Sequence, residues 1–449
     1  MTSYSQVQIA NTAEAFQELL KLLPASGPGA GARLQHEHDL GQRALFWGGD
    51  DRLIVTSAAI PDILIQCASH QLGWSNVGNV WPKRRSTCLC RDVLDDERLL
   101  EQLSGLALAC PEIAFSAYAS TPEYGLLIDR IRGRGAIALA PDLPRPEDRW
   151  TTSTLDSKAA FRGMFADHFQ QGGLDRLPAG SVCISLTEVE AEVSRRLRQG
   201  GGFVLKVHNG ESGWGTKIVR AADAPAANDL EEWISMYMRT DPIWERGPYI
   251  VEEFVVTDAQ LAGGFPSAEG CITDSGVHFD YLCGQDVSPE GEFLGVILGP
   301  NLCADQTLER IQKIAISVGE RLHEIGYRGT FDVDLAASRD GSLYILEANL
   351  RRTGGTHAHR LLVELARDPS RTFAVSNDSV VYPGAPRAPG ALVATLAPLF
   401  YQKEATSGIF LTYVGGRESR VGVVAVAETR EECFSLLSAA RRLLEPVPE

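Results

Sequence analysis

The chain has 449 residues, 44% of them hydrophobic and 22% charged, with a formal net charge of −16. That composition is ordinary for a globular protein, and the length suggests about three domains. The acidic balance disfavours nucleic acid or an anionic membrane as the main partner and says nothing against a nucleotide, which responds to local charge. No stretch approaches the ~20 apolar residues of a membrane span. The start, MTSYSQVQIANTAEAF, lacks a basic segment and an apolar run, so no signal peptide is expected and the expected location is cytoplasmic. The nine cysteines include no Cys-x-x-Cys; Cys88 and Cys90, on one face of an expected strand, read as buried thiols.

Residues 1–150 alternate strand and helix patterns. Leu53–Thr56 is the expected first strand, preceded by a Gly48-Gly49 turn, and Pro61–Leu72 a helix. Ser86–Cys90 then reads as strand, Asp95–Leu108 as helix, Ile113–Tyr118 as strand, Pro122–Arg132 as helix and Ala136–Ala140 as strand. The alternation predicts a parallel sheet with helices on its faces. No Gly-x-Gly-x-x-Gly appears, which disfavours hydride chemistry. The Pro-rich stretch Pro141–Pro146 marks a boundary.

Beyond it, Asp156–Phe169 reads as an amphipathic helix carrying Lys158, followed by a Ser181–Ser185 strand and a Val189–Gln199 helix. In Phe203–His208 the side chains alternate, with Val204, Lys206 and His208 on one side. A glycine loop, Asn209–Gly215, leads into a returning strand, Thr216–Val219. GESGWGTK is not a P-loop, because the order is Gly215-Thr216-Lys217 and a strand follows rather than a helix. The loop reads either as a plain hairpin with a surface lysine or as a flap whose N–H groups cover phosphates, with Lys206 adding a point charge. Tyr249–Val256 is an apolar strand interrupted by Glu252-Glu253, either an exposed pair or a strand whose backbone at Glu252 and Val255 bonds a purine. Strands near Gly270–Thr273 and Val277–Leu282 and a helix Thr307–Ile325 follow. Ala391–Leu444 gives three strand-like runs and a final helix, Arg430–Leu443.

The richest stretch is GTFDVDLAASRDGSLYILEANLRRTGGTH, Gly329–His357. Thr330–Ala336 and Ser342–Leu350 flank Asp340-Gly341, a type I′ turn dipeptide. With that turn, Asp334 sits directly opposite Glu347, and Asp332 opposite Asn349. Val333, Leu335, Leu346, Ala348 and Leu350 then face a core. Opposed carboxylates beside an amide suit a hard cation such as Mg²⁺, although an acidic pair alone also reads as a solvated face. Arg351 and Arg352 follow, then Thr353-Gly354-Gly355-Thr356 and a helical pattern His357–Leu365, with Thr356 as the expected N-cap of an anion-binding helix start.

In order, these pieces resemble the ATP-grasp superfamily, over roughly Trp150–Pro383. They are Lys158, the Phe203–Val207 lysine strand with its flap, YIVEEFV, and FDVDLAASRDGSLYILEANLR. The variant with NLRRTGGTHAHR looks most like the peptide ligase of the pheganomycin type. The resemblance implies an α/β fold, α+β in parts. Residues 1–150 would form a Rossmann-like pre-ATP-grasp domain, 151–255 a lid subdomain, 256–383 a metal-binding subdomain and 384–449 a small C-terminal α/β lobe. It implies ATP, with Lys158 and Lys206 on the α- and β-phosphates and Gly210, Ser212, Gly213 and Trp214 of the flap above them. Glu252, Glu253 and Val255 would lie at adenine and Asp258 at the ribose. Asp334, Glu347 and Asn349 would hold two Mg²⁺, with Mn²⁺ as a substitute. Arg351 or Arg352 would steady the acyl phosphate, because Asp332 stands where some such ligases carry an arginine. Gly354, Gly355, Thr356 and His357 would bind substrate carboxylate or phosphate. The implied reaction is ADP-forming amide synthesis between a small carboxylate and an amine or peptide in peptide natural-product (antibiotic) biosynthesis. A small-molecule kinase and an intramolecular lactam-forming enzyme are the alternatives, and a homodimer is left open.

Overall fold

The computed structural model describes residues 4–23, 28–169, 173–226, 229–365, 370–403 and 405–445. Strands β1 (Gln6–Ile9), β2 (Arg52–Val55), β3 (Val77–Val80) and β4 (Ala114–Ala117) form a parallel sheet in the order β3-β2-β1-β4. All four residues of β2 are buried, as expected of a parallel strand covered on both faces. Leu99, Leu103, Leu127 and Ile131 of two helices pack with Val7, Leu53 and Phe115 on one side, while Leu64 and Ala68 share a core with Ile54 on the other.

Three expectations change in this region. The first strand is Gln6–Ile9, so Gly48-Gly49 follows a strand instead of opening the sheet. Ser86–Cys90 is not a strand: the Ser86 N–H (2.6 Å) and hydroxyl (2.9 Å) both donate to the Asp92 carboxylate, which folds the segment in front of the helix Leu89–Asp95. Cys88 and Cys90 therefore share no strand face. Ala136–Ala140 contributes only a bridge from Leu139 to Ala114.

The short β5 (Asp175–Arg176) precedes an antiparallel sheet of β6 (Gly180–Cys183), β7 (Phe203–Glu211), β8 (Trp214–Val219) and β9 (Tyr249–Glu253), ordered β6-β9-β7-β8. The remaining strands are β10 (Pro266–Thr273), β11 (Gly276–Val287), β12 (Phe293–Leu298), β13 (Gly329–Ala337), β14 (Leu343–Asn349), β15 (Phe373–Val381), β16 (Gly408–Val414) and β17 (Arg420–Ala427). Together with β5 they form one nine-stranded sheet, β16-β17-β15-β12-β11-β10-β13-β14-β5. The C-terminal segment thus extends the central sheet, and its three strand-like runs resolve into two strands and a helix, Pro389–Leu396. The helix Asp305–Glu324 buries Ile311, Ile314 and Val318 against Phe331 and Val333 of β13. The core that holds Ile54, Leu64 and Ala68 also joins Ala44, Leu45 and Phe46 to Phe410 and Val423, drawing the N-terminal segment onto the C-terminal strands. Among the described residues no helix is long and apolar enough to cross a membrane.

The β13–β14 hairpin reaches the expected register by an unexpected route. Ser338 N–H bonds Ser342 O and Gly341 N–H bonds Ser338 O, with Gly341 at φ +81°, so the turn is a three-residue loop with a left-handed glycine. Alone, that loop would slip the strands by one residue and turn Glu347 into the core. A β-bulge between Asp334 and Leu335 restores the pairing, giving Asp334 opposite Glu347 and Asp332 opposite Asn349. The extra residue is Leu346. It lines a cavity, and Ile345 takes the core place expected of it.

Candidate active site

A cavity of about 600 Å³ is bounded by β13–β14, the strands β7 to β9, the 351–355 turn and the N-terminal segment around Arg33 and Arg43. Its acidic wall holds Asp334, Glu347 and Asn349. The Asn349 amide donates to Asp334 (3.0 Å) and Asp332 (3.3 Å), Ser267 Oγ donates to Asp332 at 2.5 Å, and the Gln285 amide donates to Asp334. Burial, then the neighbouring Asp334, pushes the Asp332 carboxyl well above its ordinary range, and Asp332 braces the Asn349 amide. Burial and then Glu347 likewise raise Asp334. Burial would raise Glu347 too, but Lys158, 2.5 Å away, and then Lys206 hold it below the usual range. Two opposed carboxylates and an amide form an oxygen-donor set that a divalent cation such as Mg²⁺ fits.

Lys158 opens the helix Lys158–Phe165, whose N-cap Ser157 accepts the Ala160 N–H at 3.2 Å, and its ammonium also reaches Gly210 O at 2.8 Å. Lys206 is only 8% exposed and pairs with Glu252, which Arg162 also contacts at 3.1 Å. Glu253 instead accepts the Ala179 N–H at 2.7 Å. Val255 lines the cavity beside Phe254. Arg351 donates to both oxygens of Asp156 at 2.8 Å; burial opposes its charge, but Asp156 outweighs that and raises its pKa. Arg352 donates to Ala117 O at 3.1 Å and lies over the Trp47 ring, with no ion pair within 4.0 Å to any described residue.

The flap is tighter than expected. β7 runs through the glycine segment to Glu211, and the loop is only Ser212-Gly213, at φ +50° and +87°, the positive pair of a type I′ turn. Register is lost between Lys206 and Glu211, so the hairpin bends. Ser212 O accepts the Phe293 N–H at 3.5 Å, and Gly213 approaches Gly291 O so closely that a Cβ would collide with it. Arg33 pairs with Glu211 at 2.8 Å.

Four expected positions fall outside the cavity. Trp214 is held away by its Nε1–H bond to Asp241 (2.9 Å) and by the Arg33 guanidinium over its ring. Asp258 accepts the Gln260 N–H at 3.0 Å and caps a turn, while its neighbour Thr257 lines the cavity. Thr356 and His357 are 1% and 0% exposed. Thr356 is the first helical residue, not the cap, and its hydroxyl donates to Glu269 at 2.7 Å; the Thr353 N–H and hydroxyl donate to the same carboxylate at 3.2 and 2.9 Å. The expected anion cradle thus holds the protein's own Glu269, brought beneath it because β10 pairs Glu269 with Asp332. His357, pushed well below the ordinary imidazole range by burial and then Arg43, faces Asp378 at 3.6 Å. His359 stacks on Tyr281 with centroids 4.3 Å apart. Gly354 and Gly355 do line the cavity.

Sequence reasoning missed Gln285, Ser267, Glu269, Asp156, Arg33, Arg43 and Asp378. Asp156, two residues before Lys158 at a capped helix start, carried a local signal; the others arrive from strands and helices remote in sequence.

No protein-family model matches the chain. Carboxyaminoimidazole ribonucleotide synthase of Aspergillus clavatus, solved with ATP, superposes with a TM-score of 0.52 at 11% identity, covering 99% of each chain. Biotin carboxylase of Campylobacter jejuni gives 0.53 at 13%, over 98% of this chain and 91% of that one. The L-amino acid ligase of Bacillus licheniformis gives 0.51 at 12%, over all of both. The chain has the ATP-grasp fold. In sequence it is 25% identical over 192 residues to the butirosin acyl-carrier protein–L-glutamate ligase of Niallia circulans, a match spanning 41% of this chain and 41% of that protein. The chain therefore aligns with less than half the length of that relative.

Proposed function

We propose that the protein is an ATP-dependent, ADP-forming ligase joining a carboxylate of amino-acid type to the amino group of an amino acid or peptide. The observation that carries this reading is the convergence of Asp334, Glu347 and Asn349 with Lys158, Lys206 and Arg351 on one cavity beneath a glycine-tipped flap. Clustered oxygen donors and fixed cations are what a triphosphate requires. The likeness to a ligase named for L-glutamate, and a fold shared with an L-amino acid ligase, support the same class. A place in peptide natural-product assembly is part of this reading.

In it, Asp334, Glu347 and Asn349 hold Mg²⁺, which when bound neutralises phosphate charge. Lys158 and Lys206 exchange Glu347 and Glu252 for phosphate oxygens, and Gly210, Ser212 and Gly213 cover the triphosphate. The purine lies along Glu252–Val255 against Leu346. A substrate carboxylate oxygen attacks the γ-phosphorus and ADP leaves. The amine then attacks the acyl carbon, and phosphate departs as the amide forms. Arg351 and Arg352 face the charge that moves between carboxylate and phosphate. Positioning contributes roughly 7–11 kcal/mol, and the flap keeps water from the acyl phosphate. The test is a screen of carboxylates with amines for ADP release, with product mass read alongside. The expected product weighs the sum of both reactants less one water. A stable phosphorylated product formed without amine would overturn the reading in favour of a kinase, and loss of water from a single substrate in favour of a lactam former.

A further inference from the structure

A second cavity, of about 140 Å³, abuts the main one. Lys158, Glu347, Asn349 and Arg351 line both and form the wall between them. The rest of its lining includes Glu14, Glu18, Thr121, Ser153 and His208, none of which touches the main cavity. Space for about five waters admits the end of a chain but not a nucleotide. Carboxylates outnumber cations on its wall. Glu14 and Glu18 come from the N-terminal segment, Asp156 and Lys158 from the start of the helix Lys158–Phe165, and Glu347 and Arg351 from β14 and the turn after it. The His208 ring makes no hydrogen bond with any described residue. It lies on β7, two residues beyond Lys206. Burial and then the Lys158 ammonium hold it below the ordinary imidazole range, and a ring nitrogen left without a hydrogen bond can accept a proton.

We propose that this side cavity admits the amino end of the second substrate, with His208 taking its ammonium proton; this rests on the ligase reading above. With nucleotide in the main cavity, the side cavity offers the amine a separate approach to the shared wall, where the acyl phosphate forms. The ammonium gives one proton to His208. The freed lone pair forms the C–N bond, the acyl C–O bond to phosphate breaks, and the nitrogen's second proton leaves with the departing phosphate.

The probes are a panel of L-amino acids and dipeptides as amines, with hydroxylamine, uncharged at pH 7.5, as a minimal nucleophile. Ser153 is exposed, and Ser153→Phe plugs the cavity from its surface side; it should raise KM for the amine about tenfold relative to KM for ATP. Glu18→Arg, on the exposed rim, should raise it about threefold, less at high salt. His208→Gln should lower kcat/KM for the amine about a hundredfold and remove the acid limb of its pH profile, with a smaller loss for hydroxylamine. Wild-type protein that makes amide, with an amine KM unmoved by both Ser153→Phe and Glu18→Arg, overturns the side-cavity assignment alone. An unchanged pH profile in His208→Gln overturns the role of His208. Wild-type protein that releases no ADP with any carboxylate–amine pair overturns the ligase reading and this inference with it.

Discussion

Two hairpins line the main cavity, and they are held in opposite ways. One face of β13–β14 is core: Val333, Leu335 and Ile345 are fully buried, each contributing roughly 1.5–3 kcal/mol, and a slip of one residue would forfeit all of it. The other face carries Asp334, Glu347 and Asn349, so the acids inherit a register fixed by the core beneath them. The β7–β8 hairpin is anchored at its root by Phe203, Leu205 and Val207, but its tip rests on polar contacts, among them the Arg33–Glu211 ion pair and the hydrogen bonds from Lys158 to Gly210 O, from Trp214 to Asp241 and from Phe293 N–H to Ser212 O, and on the fit of Gly213 against Gly291. Contacts of that kind are worth about 1 kcal/mol each. On the proposed function an ion site must not move and a cover must, and the two hairpins would divide those tasks.

The sharpest break in this comparison is Glu347→Gln. ADP release should fall by roughly 10²–10³-fold with the circular dichroism spectrum and Tm preserved, since the side chain faces the cavity and not the core. Normal turnover by that variant would remove the ion-site assignment. Next is Gly213→Val, which puts a β-branched residue at φ +87° against a backbone oxygen. Strain of about 1–3 kcal/mol should keep the flap from seating and lower kcat/KM for ATP about tenfold, with little change in Tm because the root core is untouched. A neighbouring pair then tests the bulge. Ile345→Ala should cost about 2–5 kcal/mol of stability in a denaturant titration. Leu346→Ala, one residue on, should leave stability nearly unchanged and raise KM for ATP about threefold.

The smallest effect concerns pH and lies outside both hairpins. The folded-state pKa of His357 is depressed, so the unfolded chain binds a proton that the folded chain does not. Its contribution to stability is therefore present above the unfolded value of about 6.5 and declines by roughly 1.4 kcal/mol per pH unit below it. His357→Gln should lessen the drop in Tm between pH 7 and 5; an identical drop in both proteins would show that His357 is not held neutral.

Much of the site was legible because side-chain alternation is local. Period-two patterning put Asp334 and Glu347 on one face and Lys206 on the inward side of β7. The hairpin register was anticipated correctly for an incomplete reason. The sequence suggests a two-residue Asp340-Gly341 turn, whereas a three-residue loop and a bulge shift the register by one residue each and cancel. Neither is separable from a regular hairpin without knowing that Ile345, and not Leu346, finds room in the core. The Thr353–Thr356 segment was misread because a glycine turn opening a helix attracts any nearby anion, and the anion proved to be Glu269. Arg351 and Arg352 are not told apart by sequence; only tertiary contacts give Arg351 the Asp156 carboxylate as an ion-pair partner and leave Arg352 without one among the described residues.

The amino-acid sequence by itself determined which side chains share a strand face, where helices are capped and which stretch brings carboxylates, amide and arginines together, because those follow from bond geometry over a few residues. Tertiary structure alone decided which partners those side chains meet. Arg43 and Asp378 pair at 2.8 Å across 335 residues of chain, and the N-terminal segment reaches the cavity only because its apolar residues pack on the last strands. Pairings of that kind depend on the order in which strands assemble and on which apolar faces find each other, and neither leaves a local pattern.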